Sequence, residues 1–410
     1  MPRFLLPLIP FAFFLLIDIY AFQGFRAGIP NRVAHIAYWV ASLLIYSLFI
    51  YGVFSDFRTW QFQGKAYISG LFIVAFVFKF ILIWFVALDD LLRLGKLALR
   101  LFQNPEPAGS GGEPITRSEF INRLGLLVAA IPFGAMVWGA VRNPYNYQVN
   151  KVMLPIANLP DALVGTTIAQ ISDIHTGSFT ATKPIQKAID LINGMNADFV
   201  FFTGDLVNYR AVEALPYIDM FKQLKAKLGI FSVKGNHDYG DYFDWDSPDD
   251  KVADNKLMEQ IHSDLGWDLL LNEHRIIEKE GHKLAIIGVE NWHKGRQFKQ
   301  YGDLGKAYQG CQDCAVKLLL SHDPSHWQGE VLPQYKDINA TFSGHTHGLQ
   351  FGINFPGFKW SPVQYAYNEW KGLYSQNQQH LYVNTGFGFV AYPGRVGFLP
   401  EITLFTLQKA

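Results

Sequence analysis

The sequence predicts an α/β domain preceded by an all-α membrane region of about four helices. Three observations predict it. Residues 1–145 hold long apolar runs, residues 150–410 hold short apolar runs that end in polar clusters, and the segment between the first two short runs has helical spacing. The composition agrees: 50% of the 410 residues are hydrophobic and only 17% charged, which excludes a disordered or collagen-like chain.

A spanning helix needs about 20 mostly apolar residues. Four runs qualify or come close, near 4–22, 33–54, 68–88 and 124–141. The first is longer than a signal-peptide core and no small-residue cleavage site follows it. Asp18 and Lys79 lie inside runs one and three, and either pair with each other or snorkel to an interface. The connection 105–119 opens with PEPAGSGGEP and reads as a flexible linker. Seven Lys or Arg lie in the loops on one side of this topology (Arg26, Arg32, Arg93, Lys96, Arg100, Arg117, Arg123) and five on the other (Arg3, Arg58, Lys65, Arg142, Lys151). That bias predicts an integral protein of a plasma or inner membrane with its C-terminal domain, 150–410, on the non-cytoplasmic side.

Charge is uneven along the chain. Up to residue 150 there are 12 Lys+Arg against 7 Asp+Glu, and beyond it 23 against 28. The acidic part lacks the basic footprint of a nucleic-acid binder. Two cysteines exclude a disulfide framework; Cys311 and Cys314 read as a local disulfide or as two buried thiols.

Five short runs in the C-terminal part read as buried strands. TTIAQI stops at Ser172, Asp173, Ile174, His175; FVFFTG at Asp205; IFSVKG at Asn236, His237, Asp238; VKLLL at Ser321, His322; and ATFSG at His345, Thr346, His347. Between the first two, Ile185, Ala188, Ile189 and Ile192 share one helical face, giving strand, helix, strand, as parallel neighbours require. Carboxylate and amide oxygens mixed with imidazole nitrogens suit Mn, Fe or Zn, and the absence of thiolates argues against a structural zinc site. Two such ions need a shared carboxylate and generate a hydroxide that attacks phosphorus in line. The ions' positive charge would let an acidic domain bind an anionic substrate.

The ordered blocks D-I-H (173–175), G-D-L-V-N (204–208), G-N-H-D (235–238), S-H (321–322) and G-H-T-H (344–347) resemble the calcineurin-like metallophosphoesterase superfamily, and the N-terminal helices resemble its membrane-attached branch. The resemblance covers roughly 165–407. It implies a four-layer α/β/β/α sandwich with two divalent metal ions at strand C-terminal ends. Asp173, His175 and His347 would hold one ion, Asn236, His322 and His345 the other, and Asp205 would bridge them. His237 would act beside the transferring phosphoryl group, with Asp238 as its partner. Many members read GDxxD where this chain has Asn208, which leaves the hydrogen bonding of that loop open.

Other features weigh less. Arg210 is either a phosphate contact or a solvated loop residue. The acidic loop 241–250 reads as solvated or as a rim of the pocket. The aromatic stretch 351–374 reads as core packing or as a lipid or acyl-chain contact. The resulting expectation is a membrane-anchored phosphoesterase cleaving a phosphomonoester, phosphodiester or pyrophosphate bond, with a phosphorylated, lipid-linked or envelope substrate. The alternatives are a membrane protein that binds a phosphorylated ligand without turnover, and a transporter built on the spans.

Overall fold

The computed structural model describes residues 8–54, 62–100, 116–295 and 299–410. The start of the first predicted span and residues 105–115 of the predicted linker lie outside them. The chain divides into two compact units, Met1–Trp60 with Gly64–Trp138, and Gln61–Gln63 with Gly139–Ala410.

The first unit is helical: α1 (Leu8–Gly28), α2 (Arg32–Phe54), α3 (Phe62–Arg100) and α4 (Arg117–Arg142), whose last turn belongs to the second unit. Among the described residues, three segments are long and apolar enough to cross a membrane, Arg32–Tyr51, Ala66–Leu99 and Arg117–Arg142. At about 1.5 Å per residue the 39 residues of α3 reach about 58 Å, well beyond a hydrocarbon layer of about 30 Å. The run expected at 68–88 therefore continues as helix past its apolar part. Asn31 starts α2, its Oδ1 accepting from the amides of Val33 (2.8 Å) and Ala34 (3.1 Å). Asp18 and Lys79 take the paired arrangement. Lys79 Nζ lies 2.6 Å from Asp18 Oδ1, Tyr38 donates to the same oxygen (2.9 Å), and Lys79 also donates to Ser42 (3.0 Å).

The second unit runs β1 (Gln148–Ile156), β2 (Thr167–Ile171), α5 (Lys183–Gly194), β3 (Phe199–Phe202), α6 (Ile218–Phe221), β4 (Gly229–Ser232), α7 (Pro248–Leu265), β5 (Asp268–Leu269), β6 (Glu273–Lys279), β7 (His282–Gly288), α8 (Leu304–Tyr308), β8 (Val316–Leu320), α9 (Leu332–Gln334), β9 (Ala340–Ser343), β10 (Ile353–Phe355), β11 (Phe358–Trp360), β12 (Gly372–Gln376), β13 (Gln379–Val383) and β14 (Glu401–Lys409). Two six-stranded sheets form, in the orders β1-β14-β2-β3-β4-β5 and β12-β13-β9-β8-β7-β6. Both are mixed. In the first, β14 runs antiparallel to β2 while β2, β3 and β4 are parallel; in the second, β7, β8 and β9 are parallel while β6 and β12 are antiparallel to their neighbours.

Alternation along each strand assigns the layers. In FVFF of β3, Phe199 and Phe201 face the core between the sheets, with Ile168, Phe231, Leu318, Phe342 and Phe405. Val200 and Phe202 face the opposite way, onto Ile185, Ala188, Ile189 and Ile192 of α5 and Met258 and Ile261 of α7. On the far side of the second sheet, Leu319 and Ile287 pack with Leu304, Ala307 and Trp327. Each such buried side chain contributes about 1.5–3 kcal/mol, and together they give the four layers α/β/β/α. Because β2, β3 and β4 run one way, the loops after Ile171, Phe202 and Ser232 emerge at one edge of their sheet; those after Leu320 and Ser343 emerge at one edge of the other. Cys311 and Cys314 are two separate buried thiols, the second of the two readings. The Cys311 thiol lies in the outer core beside Ala307.

Candidate metal centre

The five loops bring the expected residues together. Asp173, His175 and His347 form one group and Asp205, His322 and His345 a second, each with its donor atoms within 4.8 Å of one another. Asn236 joins the second group, with Oδ1 2.8 Å from His345 Nδ1 and 3.1 Å from His322 Nε2. Asp205 Oδ2 lies between the groups, 3.7 Å from His175 Nε2 and 3.1 Å from His322 Nε2.

The imidazole tautomers are set from behind. His175 Nδ1 donates to the Val207 carbonyl (3.1 Å) and His322 Nδ1 to that of Thr203 (2.7 Å), so each turns its Nε2 inward. His175 Nε2 is 3.1 Å from His347 Nε2, which is 3.2 Å from Asp173 Oδ1. For His345 it is Nδ1 that faces the centre. Its proton then sits on Nε2, where the Tyr367 hydroxyl (2.8 Å) and Asp323 Oδ2 (3.5 Å) accept it. Tyr367 in turn donates to Asp323 (3.3 Å), and His293 Nδ1 reaches the same carboxylate at 2.7 Å. Imidazole nitrogens, an amide oxygen and carboxylate oxygens converge here, a donor set that fits two divalent cations.

Electrostatics show the same strain toward positive charge. Burial works against ionised carboxylates, yet the adjacent imidazoles hold Asp173 and Asp205 well below the usual range. Burial pushes His175 down to about 3, whereas His322, although equally buried, is pushed up to about 10 by the Asp205 and Asp173 charges. Backbone conformation is also concentrated here. Asp173, His175, Asp205, His345 and His347 all have φ between +48° and +70°, a left-handed region costing roughly 1–2 kcal/mol per residue outside glycine. Two glycines make room for the loops. Gly204 has φ +95°, and a Cβ there would stand 2.5 Å from Gly235 N and 2.8 Å from His322 Nδ1. Gly235 has an ordinary φ, but a Cβ on it would stand 2.6 Å from Asp205 N and nearer still to Asp205 Oδ1.

His237 lies at the rim, half-buried, its Nδ1 donating to Asn208 O (2.7 Å) and its ring 5.0 Å from that of His175 and 4.6 Å from that of Tyr242. Its amide donates to Asp205 Oδ1 (2.9 Å). Asp238 does not partner the His237 ring. Its fully buried carboxylate accepts the amides of Asp205 (2.8 Å), Leu206 (2.8 Å), Val207 (3.2 Å) and Gly235 (2.9 Å), pinning the two loops together. Asn208 keeps its loop in order without a charge: its side-chain amide donates to Ser178 (3.0 Å) and its own N–H to Glu213 (2.7 Å).

Of the secondary candidates, the Arg210 guanidinium sits 4.6 Å from the centre of the Phe243 ring. The acidic loop is not simply solvated. Asp241 is tied to Lys251, Lys299 (2.7 Å) and Tyr301 (2.9 Å), and Ser247 caps α7, its hydroxyl accepting the Asp250 amide and donating to the Asp250 carboxylate. The aromatic stretch divides: Trp370 packs on Phe398 in the interior while Phe355, Phe358 and Tyr365 are exposed. Sequence reasoning missed Asp323 and Tyr367 behind His345, although Asp323 directly follows a candidate ligand. It also missed Arg395, a fully buried guanidinium bound to the carbonyls of Thr385 (2.5 Å), Gly386 (3.2 Å) and Gly388, with Nη2 3.4 Å from His347 Nδ1. It braces the loop whose Phe387 and Gly388 amides donate to Ser172 O and Asp173 O. No short motif marks Tyr367 or Arg395.

Comparison with known proteins finds two family models on this chain. One for the transmembrane domain of probable calcineurin-like phosphoesterases matches residues 2–144, and one for calcineurin-like phosphoesterases matches 166–349. The chain is 28% identical over 344 residues to a transmembrane protein with metallophosphoesterase domain from Danio rerio, covering 82% of this chain and 72% of that one. It is 26% identical over 294 residues to an uncharacterised metallophosphoesterase of Bacillus subtilis, covering 68% and 95%. A UDP-2,3-diacylglucosamine pyrophosphatase of Chlamydia trachomatis is 25% identical over 308 residues, covering 64% and 89%.

Proposed function

We propose, from the premise that the chain belongs to the membrane-attached calcineurin-like metallophosphoesterases, that it hydrolyses a phosphomonoester, phosphodiester or pyrophosphate bond in an amphiphilic, lipid-linked or envelope substrate. The observation that carries this reading is Asp205 Oδ2 standing between two ligand groups, the position a bridging carboxylate of a two-ion site occupies. Asp173, His175 and His347 would hold one ion and Asn236, His322 and His345 the other, with Mn, Fe and Zn all compatible with these donors. Such a pair supplies fixed positive charge for phosphoryl oxygens and lowers the pKa of water enough to give a nucleophile at neutral pH.

The chain's own residues do the rest. His237 is anchored at Nδ1 by the Asn208 carbonyl, which leaves Nε2 to face the phosphoryl group and its leaving oxygen, where the imidazolium form would donate the proton that oxygen needs. Asp238 is a positioning residue: by gathering four amides it fixes where Asp205 and the His237 backbone stand. The amphiphilic substrate is supported by the membrane region and by the relative named for a diacylglucosamine nucleotide. The excess of Lys and Arg in one set of loops supports a non-cytoplasmic metal domain.

The test uses purified full-length protein with Mn²⁺ and phosphorus-31 NMR on p-nitrophenyl phosphate, bis(p-nitrophenyl) phosphate and a nucleoside-diphosphate sugar. Cleavage of at least one, with His237→Ala retaining metal while losing rate, supports the assignment. Cleavage of none by metal-loaded protein, on vesicle-borne phospholipids as well, removes it.

A further inference from the structure

The hairpin β10–β11 stands exposed with large apolar side chains on one face. Its register pairs Ile353 with Trp360, Asn354 with Lys359 and Phe355 with Phe358 around a Pro356–Gly357 turn, Gly357 having φ +82°. Paired residues of an antiparallel ladder share a face. One face is therefore Ile353, Phe355, Phe358 and Trp360, and the other is Asn354 and Lys359. A hairpin packed on a soluble domain turns its apolar face inward. Here both faces are exposed, only Trp360 being half-buried, and the polar side ties the hairpin to the domain through one side chain. Lys359 Nζ donates to the Lys371 carbonyl (2.8 Å) and lies 4.9 Å and 5.3 Å from the ring centres of Tyr374 and Trp370. The apolar face is left open, with Phe355 68% and Phe358 56% exposed, beside Leu349 and the 79% exposed Tyr365. An isolated two-stranded hairpin is marginal in water, and a cluster of large exposed apolar side chains marks a contact surface.

What covers it follows from where the hairpin is rooted. At its base Phe351 bridges Val396, with Gly352 N donating to Val396 O (3.0 Å) and Val396 N to Gln350 O (2.8 Å). The adjacent Arg395 is bonded through its amide to Gly139 O (3.2 Å) and through its carbonyl to Asn143 Nδ2 (2.8 Å). Gly139 lies in the last turn of α4, a segment long and apolar enough to span the membrane. The hairpin base is thus joined through the short segment Arg395–Val396 to the last turn of α4. Aromatic side chains with a lysine at the edge suit that depth, because one end of each is apolar and the other wet.

We infer that the hairpin Ile353–Trp360, with Leu349 and Tyr365, is a membrane-interface finger that lies in the bilayer surface beside the exit of α4. This assignment stands apart from the hydrolytic reading. It also has a consequence for any amphiphilic ligand: the finger begins only a few residues after His347, so a headgroup at that surface starts close to the candidate ligands.

The test uses full-length protein in lipid nanodiscs, with an environment-sensitive fluorophore on Phe355→Cys, Phe358→Cys and Tyr365→Cys and on the control Glu278→Cys in β6. The wild-type chain, whose two cysteines are buried, gives the labelling background. An interfacial segment lies about 5–10 Å into the headgroup and acyl boundary, so lipids brominated near the top of the chain should remove at least about half of the emission at 355 and 358, leaving 278 unchanged. Tyr365 lies outside the strands and reports on the same surface if a hairpin variant fails to fold. Emission at all three positions as insensitive to brominated lipid as at 278 overturns the assignment. So does a blue-shifted emission without lipid quenching, which would mean that a protein surface covers the finger.

Discussion

Replacing Gly235 by alanine adds one methyl group at the most crowded point of the centre. The backbone there is extended (φ −97°), so no conformational strain enters and the effect is steric alone. The new Cβ would stand 2.6 Å from Asp205 N and 2.8 Å from Asp205 Cγ, where ordinary contacts begin near 3.4 Å. A gap of about 0.6–0.8 Å must open at these two atoms and a wider one at Asp205 Oδ1, and overpacking of that kind costs roughly 1–3 kcal/mol. Asp205 has little room to yield, since its amide is held by Asp238 (2.8 Å) and its Oδ1 by the His237 amide (2.9 Å). If the loops move instead, the cost appears as stability, lowering Tm by roughly 2–4 °C per kcal/mol in a domain of this size. If the carboxylate swings, it appears as metal affinity, a loss of roughly 5- to 150-fold at 1.36 kcal/mol per decade. Chelator competition with Mn²⁺ and thermal unfolding with and without metal separate the two. Gly194→Ala is the control, because nothing lies within 4 Å of its Cβ and it sits in α5, where alanine should be neutral or stabilising by about 0.5–1 kcal/mol. Wild-type Tm and wild-type metal affinity together in Gly235→Ala would show that the loops do not approach as described.

Three further outcomes follow from the same geometry. Tyr367→Phe removes the hydroxyl that accepts the His345 Nε2 proton, and metal affinity should fall about 10- to 100-fold, as for other outer partners of ligating histidines, with Tm of the metal-free protein little changed. His322 is pushed up to about 10, above its ordinary 6.5. In the metal-free protein its stabilising contribution is therefore whole below pH 6.5 and lost as pH rises through 10. Because metal must displace that proton, affinity measured between pH 7 and 9 should rise about tenfold per unit. Lys79→Leu leaves the fully buried Asp18 without its cation; thermal unfolding in detergent should show a loss of roughly 3–5 kcal/mol, much of it recovered by adding Asp18→Leu.

Much of this centre was legible in the sequence because strand termini project side chains at fixed positions. A buried run such as FVFF must alternate between two cores, so the residue at which it stops, and hence Asp205, is set by the chain itself. The five loops could be recognised one at a time, and parallel pairing brought them to one side. The parts that were not legible depend on tertiary meetings. Asp238 sits in the same block as His237, yet only the folded loops show its carboxylate gathering amides from 205–207 and 235. Tyr367 and Arg395 reach the centre from distant loops with no periodicity to mark them. The aromatic stretch is legible as composition, but that Trp370 is packed inside while Phe355 and Phe358 stand open depends on tertiary meetings such as that of Trp370 with Phe398. The Asp18–Lys79 pair required the register of α1 against α3, which hydrophobic runs do not encode.

The central claim is a two-ion site bridged by Asp205 and served by His237. Metal content of the purified full-length protein, measured by plasma mass spectrometry alongside Mn²⁺-dependent hydrolysis of bis(p-nitrophenyl) phosphate, tests it most directly. The account predicts about two ions per chain with turnover, loss of metal in Asp205→Ala, and retained metal without rate in His237→Ala. A wild-type protein that binds no divalent ion, or an Asp205→Ala variant that keeps both ions, would contradict it.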